Sequence, residues 1–515
     1  MVFDLTILGF GVIATEALTA IEKKIKIKKN KIFKIAIIER DINNIPGGVA
    51  YSKINSKFGY FNNPLRLSHP NFIKWIKNKK NLYKLISFIK KNPNYRLNRW
   101  LEKNSKNFFK KSIYNEIYFP RLVYSFYLED KIRNFMKIHK KKNILIDFYR
   151  GEINQIKKNK QIHVTSLNPM CQFKINTKSK AIKFHITKKY KNNIITKNLI
   201  VGNGLTPPKK ITEINKSINS NYIWDFYAEG GTGNLLKKIN LELKKKNNLI
   251  ISFIGNKAGL LETMKELEYL ILSKKKNIKL LTISKNPLTL EKAEISTNHT
   301  KFKLKIFINK NIKKISSAKQ IFINLKKEFK FAISNGFNKY DVWTHILKKN
   351  ILSKCLAKLN MKEKEKYNLS IFPKIRGMTR YTYPETIIAK ENLEKKGFLK
   401  FVKSKVSSIK KEKEFITIKT NTRKEIKSHI VVNVSGPINL KEIKKESGFI
   451  SSLKKISKNF NQRGFTTDKY FMLKESIFLP GNLSNNFNPF RKTLIKAVTN
   501  NTYKVVKFIL RKEFV

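Results

Sequence analysis

Three small residues near the start of the chain follow an apolar segment and could form a site for phosphate groups. Gly9, Gly11 and Ala14 have the spacing G-x-G-x-x-A, directly after the apolar run 2–8. In this pattern the first glycine permits a tight turn, the second lets a pyrophosphate approach the backbone, and the alanine lets a helix pack closely. The N–H groups at the start of that helix attract phosphates. The spacing therefore predicts a dinucleotide-binding turn.

An acidic residue, Glu39, ends the second apolar run, 33–38. A carboxylate at this place can accept hydrogen bonds from the hydroxyl groups of an adenosine ribose. Glu39 lies 28 residues after Gly11, whereas about 20 residues separate the two in the compact motif. The lysine-rich stretch 23–31 accounts for the difference as a longer helix and loop. The order strand, glycine turn, helix, strand, acid predicts a βαβ unit.

The same order of elements is predicted a second time. Its apolar strand, glycine turn, helix and second strand are 249–254, Gly255, 260–272 and 279–283. Lys257 takes the position of the second glycine, where its side chain would crowd a pyrophosphate although its ammonium could neutralise one. Ser284 and Lys285 follow in place of an acid, which suits the 2′-phosphate of NADP better than the free ribose of NAD. The alternative is that this second unit keeps the fold of a dinucleotide-binding unit but binds no nucleotide.

Further elements surround these two units. Alternating polar and apolar residues predict short strands, and apolar residues at i, i+3 and i+4 predict helices. In chain order these elements are mainly helical residues 72–137, a β-meander 144–200, mainly helical residues 301–370, an alternating region 399–418, strands 430–434 and 476–479, and a final helix 493–510. Gly204, Gly436 and Gly481 each follow a predicted strand, so each is expected to form a turn at a strand end.

Length and composition limit the class of protein. With 515 residues, 41% of them hydrophobic, the chain is expected to form two or three lobes. Its two cysteines, Cys171 and Cys355, lie far apart, which disfavours a cysteine-based metal site and a dithiol reductase. No metal site is predicted. We expect neither a signal peptide nor a membrane span, and a reducing cytoplasm is the expected compartment.

The net charge of +74 allows two interpretations. Clustered lysine and arginine could neutralise the phosphates of a nucleic acid. Alternatively, an AT-rich genome would enrich lysine, asparagine and isoleucine everywhere, and these residues are indeed spread along the whole chain. We therefore expect weak, salt-sensitive attraction to polyanions and no specific nucleic-acid partner.

Taken in order, the motifs resemble the FAD/NAD(P)-binding family of bacterial flavoproteins with two dinucleotide-binding domains, which is similar to flavin monooxygenases. The matching segments are 9–14, 48–51, 63–66, 119–124, 204–208 and 433–437. The resemblance implies an α/β fold with two Rossmann-like dinucleotide-binding domains, β-meander insertions and a discontinuous FAD domain. The implied boundaries are 1–240 for the first part of the FAD domain, 241–370 for the NAD(P)H-binding domain with a helical insertion, and 371–515 for the return segment.

The resemblance also implies roles for individual residues. Gly9, Gly11 and Ala14 would hold the FAD pyrophosphate, and Glu39 its ribose. The residues that would approach the flavin and ribityl side are Gly48, Tyr51, Asn63, Arg66, Gly481 and Asn482, the last standing where many flavoproteins have aspartate. Those that would contact a cofactor through a strand-end turn, or bind NADPH (or NADH), are Gly204, Gly255, Ser284, Lys285 and Gly436.

Several of these side chains have simpler interpretations. Arg66 could be an ordinary loop residue, and Tyr51 could belong to the core. Arg376 and Arg380 could reach a phosphate or an anionic substrate, or could lie on a solvated basic turn. No side chain is identified as a nucleophile or a general base.

The implied activity is that of an FAD-dependent NAD(P)H oxidoreductase. Because the C-x-x-C pair of disulfide reductases is missing, elimination favours an NADPH-using monooxygenase that acts on a small metabolite. Two alternatives stay open. The charge favours an FAD-containing RNA-associated enzyme, whereas Lys257 and Asn482 favour a non-catalytic protein with a retained flavoprotein fold.

Overall fold

The fold was analysed in a computed structural model. It describes residues 1–25, 31–92, 94–108, 110, 114, 116–177, 182–202, 204, 208, 211, 221–294, 299–412, 414–438, 440–443, 448–461, 464–484 and 494–514. The α-helices are Val12–Lys24 (α1), Gly48–Tyr51 (α2), Pro70–Ile76 (α3), Lys79–Lys91 (α4), Tyr95–Asn104 (α5), Arg121–Ile138 (α6), Gly231–Leu243 (α7), Ala258–Glu268 (α8), Asn309–Lys313 (α9), Ala318–Ser334 (α10), Lys339–Lys348 (α11), Ile351–Lys358 (α12), Met361–Lys366 (α13), Phe372–Met378 (α14), Pro384–Lys395 (α15), Gly448–Ile456 (α16) and Leu494–Phe514 (α17). The strands are Val2–Leu8 (β1), Phe33–Glu39 (β2), Ile144–Arg150 (β3), Ile153–Lys158 (β4), Ile162–Asn176 (β5), Lys183–Val201 (β6), Tyr222–Ile223 (β7), Leu249–Ile254 (β8), Ile278–Ser284 (β9), Glu291–Lys292 (β10), Tyr381–Thr382 (β11), Leu399–Lys403 (β12), Val406–Lys411 (β13), Ile416–Thr420 (β14), Glu425–Ser428 (β15), Ile430–Asn433 (β16), Phe460–Asn461 (β17), Gly464–Phe465 (β18), Met472–Lys474 (β19) and Ile477–Phe478 (β20).

The first sheet joins strands from both ends of the chain. Its order is β19-β20-β6-β1-β2-β3-β5-β4, and the five strands from β20 to β3 run parallel. Both faces of β1 are buried, as is usual for a strand inside a parallel sheet, and the buried residues include Asp4 and Thr6. Helices α1 and α17 pack in one apolar core with this sheet. The strands of the first sheet are therefore discontinuous in sequence.

The second sheet is parallel and has the order β12-β9-β8-β16-β7. A three-stranded antiparallel sheet, β13-β14-β15, is inserted between its strands β12 and β16. The chain reaches this sheet after β6 and leaves it after β16, and an antiparallel bridge between Pro208 and Pro437 joins the two passages. Together with the first sheet, this arrangement confirms the predicted α/β fold with two parallel-sheet modules and β-meander insertions.

Two predicted boundaries need correction. The first part of the FAD domain was predicted to extend to residue 240, but β7 already pairs with β16 of the second sheet. The return segment was predicted to begin at residue 371, but β12 and β16 pair with the strands of the second sheet. The reason is that a short apolar strand carries no local signal for the sheet that it will join. The part of the chain that completes the first sheet is β19 and β20, followed by α17.

Residues between β9 and β12 form a helical lobe with its own apolar core. That core runs from Ala293 to Tyr381 and includes α10, α11 and α12. Helix α10 begins at a capping box, in which Ser317 Oγ accepts a hydrogen bond from the Gln320 N–H at 3.3 Å and Gln320 Oε1 accepts one from the Ser317 N–H at 3.1 Å. Among the described residues, no helix is long and apolar enough to cross a membrane.

Candidate dinucleotide-binding sites

The first glycine turn lies at the carboxyl edge of the first sheet. Gly9 follows β1 with a φ of +85°, a conformation that favours glycine. Its N–H donates a hydrogen bond of 2.7 Å to the carbonyl oxygen of Ile38, so the turn is fixed to the end of β2. Ala14 is fully buried within α1. The first turn of the helix is therefore held close to the sheet, as the motif predicts.

Glu39 completes this turn. Its Oε2 accepts a hydrogen bond from the Phe10 N–H at 2.6 Å, and its Oε1 accepts one from the Asp41 N–H at 3.0 Å. Burial raises the pKa of Glu39, while these two N–H groups act in the opposite direction. The carboxylate thus lies beside the first glycine turn, and its binding of a ribose stays a prediction.

A second glycine pair packs directly on the first turn. A Cβ atom added to Gly11 would lie 3.4 Å from the Cα atom of Gly48, and one added to Gly48 would lie 3.3 Å from the Cα atom of Gly11. Gly48 has a φ of +64° and begins the short helix α2. The two backbones can approach because both positions lack side chains. The structure thus brings Gly48 against the first motif, and its approach to a flavin stays a prediction.

Gly202 is a site residue that the sequence analysis missed. It follows β6, the neighbour of β1, and its N–H donates a hydrogen bond of 2.8 Å to the carbonyl oxygen of Leu8. A Cβ atom added to Gly202 would lie only 2.7 Å from that oxygen, and 3.4 Å from the carbonyl oxygen of Gly9. The predicted residue, Gly204, is exposed, and no atom of the residues that the structure describes lies within 4 Å of its Cβ position. The close contact between the end of β6 and the end of β1 therefore occurs at Gly202 and not at the predicted Gly204.

Gly481 and Asn482 follow β20 at the same edge of the sheet. Ile477 and Phe478 pair with Leu199 and Ile200 of β6, so the chain beyond β20 emerges beside Gly202. The carbonyl oxygen of Gly481 accepts a hydrogen bond from the Ser484 N–H at 3.1 Å. The sheet thus brings Gly481 to the edge that carries the first glycine turn, although more than 400 residues separate them in sequence.

Tyr51 packs mainly with other aromatic side chains. Its ring centroid lies 5.1 Å from that of Tyr124 and 6.2 Å from that of Phe61, and burial raises its pKa. These contacts agree with the core interpretation of Tyr51 that the sequence left open.

Asn63 and Arg66 make their polar contacts away from the first glycine turn. Asn63 Oδ1 accepts a hydrogen bond from the Tyr340 hydroxyl at 3.3 Å, and Arg66 Nε lies 2.6 Å from Glu116 Oε1. Tyr340 belongs to the helical lobe. Among the described residues, no hydrogen bond joins Asn63 or Arg66 to Gly9, Gly11 or Gly48. Their approach to a flavin stays a prediction.

The second glycine turn repeats the hydrogen bonding of the first. The Gly255 N–H donates to the carbonyl oxygen of Ile283 at 2.8 Å, as the Gly9 N–H does to Ile38. The Val434 N–H donates to the carbonyl oxygen of Ile254 at 2.9 Å, as the Gly202 N–H does to Leu8. Gly255 has a φ of +102°, and its added Cβ would lie 2.5 Å from the Cα atom of Ser435. The second module thus keeps the backbone geometry of the turn.

The two turns differ in the side chains around them. Lys257 caps α8, where Gly11 caps α1, and its ammonium donates a hydrogen bond to the carbonyl oxygen of Ser435. A Cβ atom added to Gly436 would lie 3.1 Å from Lys257 Nζ, so the lysine crosses the strand-end turn. Ser284 ends β9, and the exposed Lys285 follows it. The edge that is acidic in the first module is therefore basic in the second.

Charged and amide side chains connect the two modules. Arg121 of α6 forms a close ion pair with Glu262 of α8, and its Nε donates a hydrogen bond to the carbonyl oxygen of Tyr60 at 3.2 Å. The Asn55 side-chain amide donates to the carbonyl oxygens of Val49 and Tyr227, both at 2.9 Å. These contacts hold the second module against the loops that follow Gly48.

Comparison with solved structures finds matches to flavin enzymes at low sequence identity. One is the FAD-bound cadaverine monooxygenase of Erwinia amylovora, with 10% identity, coverage of 99% of this chain and 94% of the other, and a TM-score of 0.44. Another is the ornithine hydroxylase of Pseudomonas aeruginosa, with 11% identity, 99% coverage of each chain and a TM-score of 0.45. A third is the L-lysine 6-monooxygenase of Pseudomonas syringae, with 11% identity, 99% coverage of each chain and a TM-score of 0.46.

Sequence comparison gives a result for the amino-terminal third of the chain. No curated protein matches the sequence. Residues 6–169, which contain the first glycine turn, Glu39 and Gly48, match the sequence model of a family described as FAD-NAD(P)-binding. The resemblance predicted from the motifs is thereby confirmed for this segment, which has the features of that family.

Proposed function

We propose that the chain is an FAD-dependent oxidoreductase that uses NADPH and acts as a monooxygenase on a small metabolite. The observation that carries this proposal is the carboxyl edge of the first sheet. Five parallel strands bring together there two facing glycine turns, a half-buried acid and two further strand-end glycines. A crevice at the carboxyl ends of parallel strands is the usual place for a dinucleotide in this type of sheet.

The residues at this edge fit FAD. Gly11 and Gly48 present backbone without side chains, and α1 directs the N–H groups of its first turn to the same place, which suits a pyrophosphate. Glu39 offers a carboxylate to the adenosine ribose. When bound, FAD supplies electron transfer between a reduced pyridine nucleotide and an acceptor. The chain supplies the binding groups, their orientation and the exclusion of water.

The cysteines favour a monooxygenase over a disulfide reductase. Cys355 is buried in α12 of the helical lobe, and burial raises its pKa to about 11. Cys171 is half-buried in β5, and both thiols are free. A thiol with a raised pKa is a poor nucleophile at neutral pH. We therefore propose oxygen, with a small organic substrate, as the destination of the electrons.

The compartment and the class of substrate follow from composition. Two free thiols fit a reducing compartment, so we place the reaction in the cytoplasm. The net charge of +74 is spread along the sequence, and we propose a small molecule as the substrate, with no specific nucleic-acid partner.

The decisive experiment is the visible spectrum of the purified protein under anaerobic conditions, before and after addition of NADPH and then of NADH. We expect a flavin absorption band that bleaches with NADPH. A flavin that stays oxidised with both nucleotides would contradict the proposed use of pyridine nucleotides. A protein that neither contains FAD nor binds added FAD would refute the proposal as a whole.

Oxygen consumption tests the monooxygenase part separately. With air present, we expect NADPH oxidation to accelerate when the right small metabolite is added, with oxygen consumed in equal amount. If NADPH reduces the flavin but the reduced protein transfers its electrons to a disulfide rather than to oxygen, the protein is a reductase and this part of the proposal is wrong.

A further inference from the structure

Lys257 at the carboxyl edge of the second sheet, and two arginines whose charges act on it, have no acidic partner among the described residues. Lys257 lies at the start of α8, Arg376 in α14, and Arg380 directly before β11. The charges of Arg376 and Arg380 both act on Lys257. Within the described residues, no carboxylate forms an ion pair with any of the three, whereas Lys265 and Lys292 of the same module each have one.

The fold holds Arg380 in this place. Its carbonyl oxygen accepts a hydrogen bond from the Glu291 N–H at 2.8 Å, which begins the pairing of β11 with β10 shortly after Ser284. Two residues later, the Thr382 hydroxyl donates a hydrogen bond to Asn62 Oδ1 of the first module at 3.4 Å. The backbone at Arg380 is therefore fixed to the segment that follows β9 and, through Thr382, to the first module.

The charges of Lys257, Arg376 and Arg380 repel one another, and an anion that binds among them removes this repulsion. Although Lys257 and Arg376 are exposed, the pKa of Lys257 is lowered, first because the surrounding protein displaces water and then because of Arg380 and Arg376. The exposed positions leave the charges accessible to a ligand. A ligand with several negative charges would fit this arrangement best.

We propose that Lys257, Arg376 and Arg380 bind the phosphate groups of a pyridine dinucleotide, so that the lysine replaces the missing glycine in function and does not block the site. This inference rests on the proposed function. It explains two facts together. The second glycine turn has the same backbone hydrogen bonds as the first, and the side chains around it are basic where those of the first module are acidic. Ser284 and Lys285 at the end of β9 extend the same basic edge towards a 2′-phosphate.

If Lys257 binds phosphate, removing it weakens NADP⁺ binding; if Lys257 blocks the site, removing it strengthens NADP⁺ binding. In Lys257→Gly the G-x-G pattern is restored but the charge is lost. If the ammonium binds phosphate, both Lys257→Gly and Lys257→Gln bind NADP⁺ roughly tenfold or more weakly, the usual effect of losing a hydrogen bond to a charged group. If the lysine blocks the site, Lys257→Gly binds NADP⁺ more tightly than the unchanged protein.

Titration calorimetry on the FAD-loaded protein measures the affinities directly, with NADP⁺, NAD⁺ and inorganic pyrophosphate as ligands. Lys279→Gln is the matched control, because Lys279 is exposed near the opposite end of β9 and its change removes the same charge; we expect its affinity to stay within about twofold. Arg380→Gln provides a second variant, and circular dichroism checks that all variants fold.

Each result has a definite meaning. Weaker NADP⁺ binding in both Lys257 variants and in Arg380→Gln supports the proposal. Equal or tighter binding by Lys257→Gly overturns it, as does pyrophosphate that binds as tightly as NADP⁺, which would indicate a general anion site. If the unchanged protein holds FAD that dithionite reduces but binds no pyridine nucleotide, this inference fails while the FAD site stands. If FAD itself does not bind, the proposed function fails.

Discussion

Substitution of Gly202 by alanine tests whether the close approach of β6 to β1 supports the cofactor turn. The added Cβ atom would lie 2.7 Å from the carbonyl oxygen of Leu8 and 3.4 Å from both the carbonyl oxygen of Gly9 and the Cβ atom of Ile13. These neighbours are backbone or part of a buried side chain. Because no flexible group can move aside, the end of β6 must move away from β1.

The expected cost follows from these contacts. Forcing an extra carbon into a well-packed place costs about 1–3 kcal/mol. The same shift disturbs Gly9 and the start of α1, which form the proposed pyrophosphate site. If the whole cost falls on the FAD-bound state, affinity for FAD decreases roughly 5- to 150-fold, since about 1.4 kcal/mol corresponds to a factor of ten.

Two measurements and one control decide the result. Urea unfolding of the FAD-free protein gives the change in stability, and quenching of flavin fluorescence gives the FAD dissociation constant. Gly204→Ala is the control, because Gly204 lies two residues further on and its Cβ position is open. We expect Gly204→Ala to behave like the unchanged protein. If Gly202→Ala is equally stable and binds FAD equally well, the close contact of the two strand ends does not support the site.

Three further predictions concern buried and charged groups. Glu16 and Lys131 form an ion pair between α1 and α6, with Lys131 Nζ 2.6 Å from Glu16 Oε2 and only 1% of the Glu16 side chain exposed. Glu16→Gln should lower the free energy of unfolding in urea by about 3–5 kcal/mol, whereas Glu16→Leu combined with Lys131→Met should restore most of that stability. A loss below about 1 kcal/mol for Glu16→Gln would contradict this prediction. Burial raises the pKa of Glu39 above its ordinary value of 4.5, and a ribose hydroxyl would donate to the ionised carboxylate. FAD affinity should therefore fall as the pH falls through this raised pKa, and the pH dependence should vanish in Glu39→Gln. An identical pH profile in both proteins would count against ribose binding by Glu39. The pKa of Lys257 lies below the ordinary 10.5, and only the charged ammonium attracts phosphate. NADP⁺ affinity measured by calorimetry should therefore fall as the pH rises through this lowered pKa, and the fall should occur at a lower pH than in Lys257→Arg. If Lys257→Arg has the same pH profile as the unchanged protein, Lys257 is not the binding group.

The first site was predictable because its signal is local. Gly9, Gly11 and Ala14 lie in one turn, and the hydrogen bond from Gly9 to Ile38 only requires β2 to lie beside β1. Glu39 ends that same strand. A spacing of a few residues therefore determines most of the backbone geometry, and the predicted order of strand, glycine turn, helix and strand agrees with the structure.

Contacts between distant segments were not predictable in the same way. The restriction at Gly202 comes from the carbonyl oxygen of Leu8, more than 190 residues earlier. The only available signal was its position as the first glycine after a strand. Likewise, the sequence left open whether Arg380 is a solvated residue, because its position near Lys257 depends on the pairing of β11 with β10. Tyr51 shows the same limit, since its packing against Tyr124 joins two separate helices.

The pairing of β20 with β6 also determines when the first sheet can be completed during synthesis. Ile477 pairs with Leu199, roughly 280 residues earlier, and a ribosome that adds about 5–20 residues per second needs about 14–56 s to cover that distance. During this time the nascent chain exposes the edge of β6, a strand edge that can pair with other chains. The second module and the helical lobe lie entirely within the interval and can fold first. Stable loading of FAD is therefore expected after translation, and a chaperone that shields the exposed edge would increase the yield of active protein.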